Sequence, residues 1–101
     1  MNQQNGTVIA GSTLIERNSD ILAATVNNET VMMHIQSGHY YGLDDIGSEI
    51  WKRLESPMRF DALVDGLIAD FRADREVITG DVKALLQQMA ANGVVLLREG
   101  A

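Results

Sequence analysis

One short segment, His39-Tyr40-Tyr41-Gly42-Leu43, separates a strand-forming part of the chain from a helix-forming part. Apolar residues before it follow the two-residue period of a strand, and those after it follow the 3.6-residue period of a helix. Because the two periods differ, no single element can run through this junction. The segment is therefore either the covered end of a small sheet or an open strand edge that another chain can pair with.

The part before the junction predicts a three-stranded antiparallel sheet. Two β-prone runs, residues 21–26 and 30–36, are separated by an Asn-Asn turn, which is typical of a hairpin. Ser37-Gly38 supplies a second turn, and residues 39–43 form a third, shorter strand. In the second run Val31 and Met33 share one face and Thr30 and Met32 share the other, which fits a strand with one buried face.

Three helices are predicted after the junction. Asp44 or Asp45 caps the first helix, which ends before Pro57. The second spans about residues 60–71 and the third about residues 75–92, each with apolar positions at helical spacing. Gly80 interrupts the third helix, so a break at Thr79-Gly80, with Asp81 capping the remainder, stays open.

The ends of the chain predict less regular structure. Residues 1–12 are mostly small and polar, and we expect a flexible N-terminal tail followed by a single domain over residues 13–101. Residues 13–17 are predicted to be a short extended piece over the core. Residues 94–97 are too apolar to hang free, so they should pack as a final extended segment.

Composition and charge narrow the function classes. The net charge is −6 and the basic residues are scattered, whereas a nucleic-acid binder carries a basic stripe. The absence of cysteine excludes disulfides and zinc–thiolate sites. The N-terminus lacks a signal peptide's regions, and no apolar run approaches the roughly 20 residues of a membrane span. We therefore expect a cytoplasmic protein that binds neither nucleic acid nor a membrane.

The sequence offers little for catalysis. His34 and His39 flank a turn but lack a third metal ligand nearby, and Asp44 and Asp45 are explained by helix capping. No serine has a candidate base at motif spacing, and no glycine-rich phosphate loop is present. We predict no enzymatic activity, no metal site and no cofactor.

Two binding hypotheses remain. Three helices beside a small sheet are the layout of a winged helix-turn-helix, whose last helix reads DNA, but here the exposed positions of that helix mix basic and acidic residues, and Asp81 would face phosphates. The alternative is peptide capture on the open edge of the third strand, beside the third helix. That groove would be lined by Tyr40, Tyr41, Val82, Leu85, Leu86 and Met89. The same residues could instead be plain core.

Over residues 20–97 the chain resembles the PqqD-like proteins, the recognition elements for ribosomally made precursor peptides. The resemblance is carried, in order, by Thr30-Val31-Met32-Met33-His34-Ile35, Gly38-His39-Tyr40-Tyr41-Gly42-Leu43-Asp44, Ile46-Gly47-Ser48-Glu49-Ile50-Trp51, Phe60-Asp61-Ala62-Leu63-Val64, Asp81-Val82 with Leu85-Leu86, and Asn92-Gly93-Val94-Val95. The order and spacing of these segments are more specific than any one of them. Gly80 within the third helix departs from the pattern.

The resemblance implies an α+β, winged helix-turn-helix-like domain of three strands followed by three helices, without catalysis. It implies that a leader peptide adds as a strand to the third strand, beside the third helix. Carried over by position, the contacts are His39, Tyr40, Tyr41, Gly42, Leu43, Asp81, Val82, Leu85, Leu86 and Met89. The chain looks most like the discrete leader-binding proteins of lasso-peptide biosynthesis.

The implied partners are the precursor's leader peptide and the maturation enzymes that process it. For the lasso type these are a leader peptidase and a cyclase. A chaperone for a radical SAM enzyme, as in pyrroloquinoline quinone synthesis, and a winged-helix DNA-binding regulator are the alternatives. A free strand edge is consistent with a monomer or a weak homodimer.

Overall fold

A computed structural model describes residues 8–27 and 29–99 of the protein. Residues 1–7 of the predicted tail, Asn28 of the hairpin turn and residues 100–101 lie outside these ranges. The elements in chain order are β1 (Leu14–Arg17), β2 (Ile21–Val26), β3 (Glu29–His34), β4 (Tyr40–Leu43), α1 (Asp45–Arg53), β5 (Met58–Arg59), α2 (Phe60–Phe71), α3 (Arg75–Ala91) and β6 (Val95–Arg98). The predicted α+β class, with antiparallel strands and three helices, is confirmed.

The predicted meander forms one of two sheets, in the order β2-β3-β4. The tight turn between β2 and β3 begins at Asn27, whose φ of 59° is a left-handed value that asparagine tolerates well. The register pairs Ala24 with Val31 and Val31 with Gly42 across the three strands. The buried side of β3 is that of Thr30 and Met32, so the more apolar row of Val31 and Met33 points away from the core.

A second sheet, in the order β5-β1-β6, corrects the prediction of a single sheet. The extended segments predicted over residues 13–17 and 94–97 supply β1 and β6, which pair antiparallel. Met58 and Arg59, which the sequence analysis did not assign to a strand, pair with the other side of β1. This sheet closes the core beside the helices: α2 packs against β5, and α3 packs against β6.

Asp44 is the predicted cap at the start of α1, and Asp74 is a further cap, at the start of α3, that was not predicted. The Asp44 carboxylate accepts a hydrogen bond from the Gly47 amide at 3.0 Å, and Asp74 accepts one from the Glu76 amide at 2.9 Å. Helix α3 is continuous through Gly80, which resolves the alternative left open above.

The core lies between the helices and the inner faces of the two sheets. Ile15, Ile50 and Leu86 are fully buried within it. Ile9 is buried as well, and the Gly11 carbonyl accepts a hydrogen bond from the Asp61 amide, so the described end of the predicted tail packs near the start of α2. The guanidinium of Arg17 lies 4.4 Å from the Trp51 ring centroid and joins β1 to α1.

Candidate functional site

Strand β4 has a free edge. Its only partner strand among residues 8–27 and 29–99 is β3, so the other side of β4 has unpaired backbone groups. The strand Tyr40-Tyr41-Gly42-Leu43 contains no charged residue and no proline. Charges and proline are the usual devices that stop a free edge from pairing with another chain. This edge is therefore open to an added strand.

The register shows which backbone groups the edge presents. The His34 amide donates to the His39 carbonyl at 2.9 Å, so these two residues occupy a hydrogen-bonded position of the β3–β4 ladder, just before β4 begins. Successive residues of an antiparallel strand direct their backbone groups to opposite sides. The amides and carbonyls of Tyr41 and Leu43 consequently point to β3, and those of Tyr40 and Gly42 point to the open side.

The two adjacent tyrosines lie on opposite faces of the sheet. Tyr41 is half-buried and packs against the core, whereas Tyr40 is 73% exposed on the outer face. The period of two residues in a strand requires this separation. Both tyrosines were predicted to line the groove beside the third helix, but only Tyr41 lies on the face of the sheet that carries the helices.

The remaining predicted contact residues lie on helix α3 and differ in how far they are buried. Val82, Leu86 and Met89 lie in the core, which is the plain structural role that the sequence analysis left open for them. Leu85 is half-buried and Asp81 is exposed. Of the five predicted α3 contacts, Leu85 and Asp81 are the two with surface available to a guest.

The turn after α3 lies close to the end of β3. A side chain at Gly93, two residues after α3, would come within 3.1 Å of His34 Nε2, and His34 is bonded through its amide to the residue that precedes β4. Gly93 also has a φ of 73°, so glycine suits both its conformation and its contact. His34 Nδ1 is buried without a hydrogen-bond partner in the described part of the chain.

An apolar outer face on the β2-β3-β4 sheet was not predicted. We define it by the large apolar side chains that point away from the core, namely Leu22, Val26, Val31, Met33, Ile35 and Tyr40, and Glu29 lies at its border beside Val26. Leu22 and Val31 are 56% and 57% exposed. The signal for this face in the sequence is that each alternating row of β3 contains large apolar residues, Val31 and Met33 in one and Met32 in the other, so apolar side chains lie on both faces of the strand.

Basic side chains gather elsewhere, around an open cavity of about 600 Å³ between α1 and α2 that Lys52, Arg53 and Arg59 help to line. Partial burial alone would lower the pKa of Arg53, but hydrogen bonds to Asp70 and Glu49 raise it above its ordinary value. Arg59 is paired with Asp61. These cations already have carboxylate partners, so the cavity is a weak candidate for an anion site.

Other chemistries find no support in the described residues. No group of three or more His, Asp or Glu side chains is placed to hold a metal ion within residues 8–27 and 29–99. In the same ranges no helix has the length and apolar character to cross a membrane. Arg75, at the start of α3, is paired with Asp65, so the DNA hypothesis lacks a free basic surface there.

Comparisons with known proteins agree with this architecture. The family model described as coenzyme PQQ synthesis protein D (PqqD) matches residues 29–95. The solved structure of TbiB1 in complex with the TbiA(beta) leader peptide is similar, with 31% identity and a TM-score of 0.75 over 79% of this chain and 93% of that chain. Lasso peptide synthetase B1 complexed with the leader peptide has 24% identity and a TM-score of 0.68 over 81% of this chain and 96% of that chain, which shows a likeness of fold. None of the curated proteins matches.

Proposed function

Because the chain belongs to the PqqD family, we propose that it binds the leader region of a ribosomally synthesised precursor peptide and presents it to the maturation enzymes of lasso-peptide biosynthesis. The observation that carries this proposal is the uncharged free edge of β4. The two similar solved structures, which each hold a leader peptide, support it.

The proposed mechanism is strand addition. A guest strand beside β4 forms hydrogen bonds with the outward amides and carbonyls of Tyr40 and Gly42, each with a net contribution of about 0.5–1.5 kcal/mol. Guest side chains on the helix side lie near Tyr41 and Leu85, which are both half-buried and can lose further exposed surface. The backbone bonds give affinity, and these apolar contacts add selectivity.

The protein's own part is binding and not catalysis. It raises the local concentration of the precursor at enzymes that carry out the reactions. We assign it to the cytoplasm and propose a single domain over residues 13–101, against which the end of the predicted tail packs through Ile9. We also propose that the fold is winged helix-turn-helix-like, because α1, α2 and α3 lie beside a small sheet.

We assign docking of a maturation enzyme, the leader peptidase or the cyclase, to the apolar outer face. Exposed apolar side chains gathered on one sheet face are characteristic of protein interaction sites. Five large apolar side chains exposed to solvent share this face: Leu22, Val26, Val31, Ile35 and Tyr40. Tyr40 belongs to both the face and the β4 edge, but Leu22 and Val26 lie on β2, two strands away from that edge, so an enzyme and a guest strand can be held side by side.

The strand-addition proposal is tested by substitution of proline for Gly42. The Gly42 amide points to the open side, so the change removes a donor to the guest and leaves the β3–β4 hydrogen bonds in place. We expect the affinity for a labelled leader peptide to fall roughly thirtyfold, which corresponds to about 2 kcal/mol. Fluorescence anisotropy measures the affinity, with the TbiA(beta) leader peptide, which the similar TbiB1 binds, as the probe.

The matched control is Ala23→Pro on β2. Ala23 lies at the other free edge, and its pairing with Met32 belongs to the non-hydrogen-bonded set, so its amide also points to solvent. Circular dichroism checks that both variants fold. Equal affinities in the folded Gly42 and Ala23 variants would contradict strand addition at β4.

A further inference from the structure

Gly42 leaves a gap in the outer face. One row of residues crosses the sheet from Ala24 through Val31 to Gly42, and all three point outward. A Cβ atom at Gly42 would have no heavy atom within 4 Å, apart from its chain neighbours. Gly42 is not among the residues with positive φ, so its backbone conformation does not demand glycine. The row therefore ends in open space at the edge where a guest strand would pair.

Strand addition brings a guest residue into this row. We take the guest strand as antiparallel to β4. Because the backbone groups of Gly42 point to the open side, the guest residue opposite Gly42 then exchanges hydrogen bonds with it, and the two Cα atoms lie about 5.5 Å apart. Residues directly opposite one another point to the same face of a sheet. Its side chain thus points to the outer face, away from α3, and no side chain at Gly42 separates it from Val31.

We propose, as a consequence of the leader-binding function above, that Gly42 forms a subsite on the outer face for a large apolar side chain of the guest, best an aromatic ring. The Cα atoms of Val31 and Gly42 are about 4.5 Å apart in a pair without hydrogen bonds, so Val31 lies about 10 Å from the guest Cα. An aromatic side chain spans most of that distance, covers the glycine and reaches the Val31 methyl groups.

The surroundings favour an apolar guest side chain. Val31 is 57% exposed in the free protein and gains cover from the guest. Tyr40, the next outward residue along β4, flanks the subsite and offers a ring edge or face. No charged residue lies in the Ala24–Val31–Gly42 row. A flat ring that packs over an edge glycine is a known way to stabilise a strand pair.

The test is a selection of random twelve-residue peptides, displayed on phage, against immobilised wild type and Gly42→Val. Valine suits a strand and meets no neighbour at this position, so the variant should fold. Wild type is expected to enrich peptides with a large apolar residue at one fixed position. Gly42→Val is expected to enrich small residues there, because its own side chain fills the gap.

A selected peptide then gives the quantitative form of the test. Replacing its large residue by alanine should weaken binding to wild type about fivefold and leave binding to Gly42→Val nearly unchanged. Ala24→Val is the matched control, since it adds the same side chain to the same row two strands away. Its response to the alanine peptide should equal that of wild type.

The outcomes separate this inference from the function on which it rests. Enrichment of the same large residue by wild type and Gly42→Val, or an equal loss of affinity for the alanine peptide, would overturn the subsite while leader binding stands. If wild type and the Ala24→Val control enrich no peptide at all, the leader-binding function fails and the subsite with it.

Discussion

The two sheets differ most in how their edges are protected. The edge strands of the β5-β1-β6 sheet carry Arg59 and Arg98, and Pro57 immediately precedes β5. The edge strands of the β2-β3-β4 sheet, Ile21–Val26 and Tyr40–Leu43, contain neither a charge nor a proline. Charges and prolines on edges prevent unwanted pairing. The edge strands of the β2-β3-β4 sheet lack both, which indicates that this sheet is the one available for strand pairing.

The faces of the two sheets show the same contrast. In the β5-β1-β6 sheet, which we call the closing sheet because it closes the core, Ile15 and Val95 are buried. Arg98 pairs with Glu16 at 3.0 Å on its surface. In the β2-β3-β4 sheet, the open sheet, the outer face includes Leu22, Val31 and Tyr40, which are all exposed. Apolar residues of the closing sheet are buried and stabilise the fold, whereas many of those in the open sheet are exposed and can contact other molecules.

The largest expected effect is on the free energy of unfolding, and it tests whether buried apolar residues of the closing sheet stabilise the fold more than exposed ones of the open sheet. Ile15→Ala on β1 removes a fully buried side chain and should lower the free energy of unfolding by about 2–5 kcal/mol. Ile35→Ala, the same substitution at a 51% exposed residue beside β3, should change it by roughly 0.5 kcal/mol or less. Urea denaturation measures both values. Comparable losses in the two variants would show that the outer face is part of the stabilising core.

The contrast between the sheets marks how far the fold could be predicted. The β2-β3-β4 meander connects neighbours in sequence, so local patterns and turns define it. The closing sheet joins residues 14–17 to 58–59 and 95–98, and no local pattern links segments that far apart. Met58–Arg59 is also only two residues long, which is too short to show a period.

The candidate site was predictable to a similar extent. Gly42 and Tyr40 follow from the position of a last, uncharged strand in the meander. The burial of Val82, Leu86 and Met89 was not predictable, because helical spacing groups apolar residues on one face without showing which of them the core covers. The exposed outer face was missed because an apolar strand residue is normally assigned to the interior.

A smaller effect is expected for enzyme docking. Leu22→Arg places a charge on the outer face, while Leu96→Arg makes the same change at a residue of the closing sheet that is 45% exposed, close to the 56% of Leu22. A lasso-peptide leader peptidase should remove the leader roughly tenfold more slowly with Leu22→Arg, because the charge loses its hydration at the interface. Leu96→Arg should keep the wild-type rate.

Leader affinity is measured for both of these variants by anisotropy and should remain that of wild type, since neither residue lies on β4. This control separates a docking defect from a binding defect. Equal peptidase rates with the two variants would remove the outer face from the docking proposal and would leave only the β4 edge as the functional difference between the sheets.

The smallest effect concerns the charges that protect the closing sheet. Hydrogen bonds from Arg59, on the edge strand β5, lower the pKa of Asp61 below its ordinary value. The ionised carboxylate therefore favours the folded state. Its contribution is complete above the pKa of the unfolded chain and is lost as the pH falls through the lower pKa of the folded protein.

Asp61→Asn removes this contribution, so the melting temperature of the variant should decrease less between pH 7 and pH 2 than that of wild type. Because both side chains are largely in water, the difference should be close to the limit of calorimetric detection and should shrink in high salt. A large loss of stability at pH 7 would mean that the pair holds β5 in place. The expected small change means instead that Arg59 serves the edge as a charge that discourages pairing, the role that no residue of β4 performs.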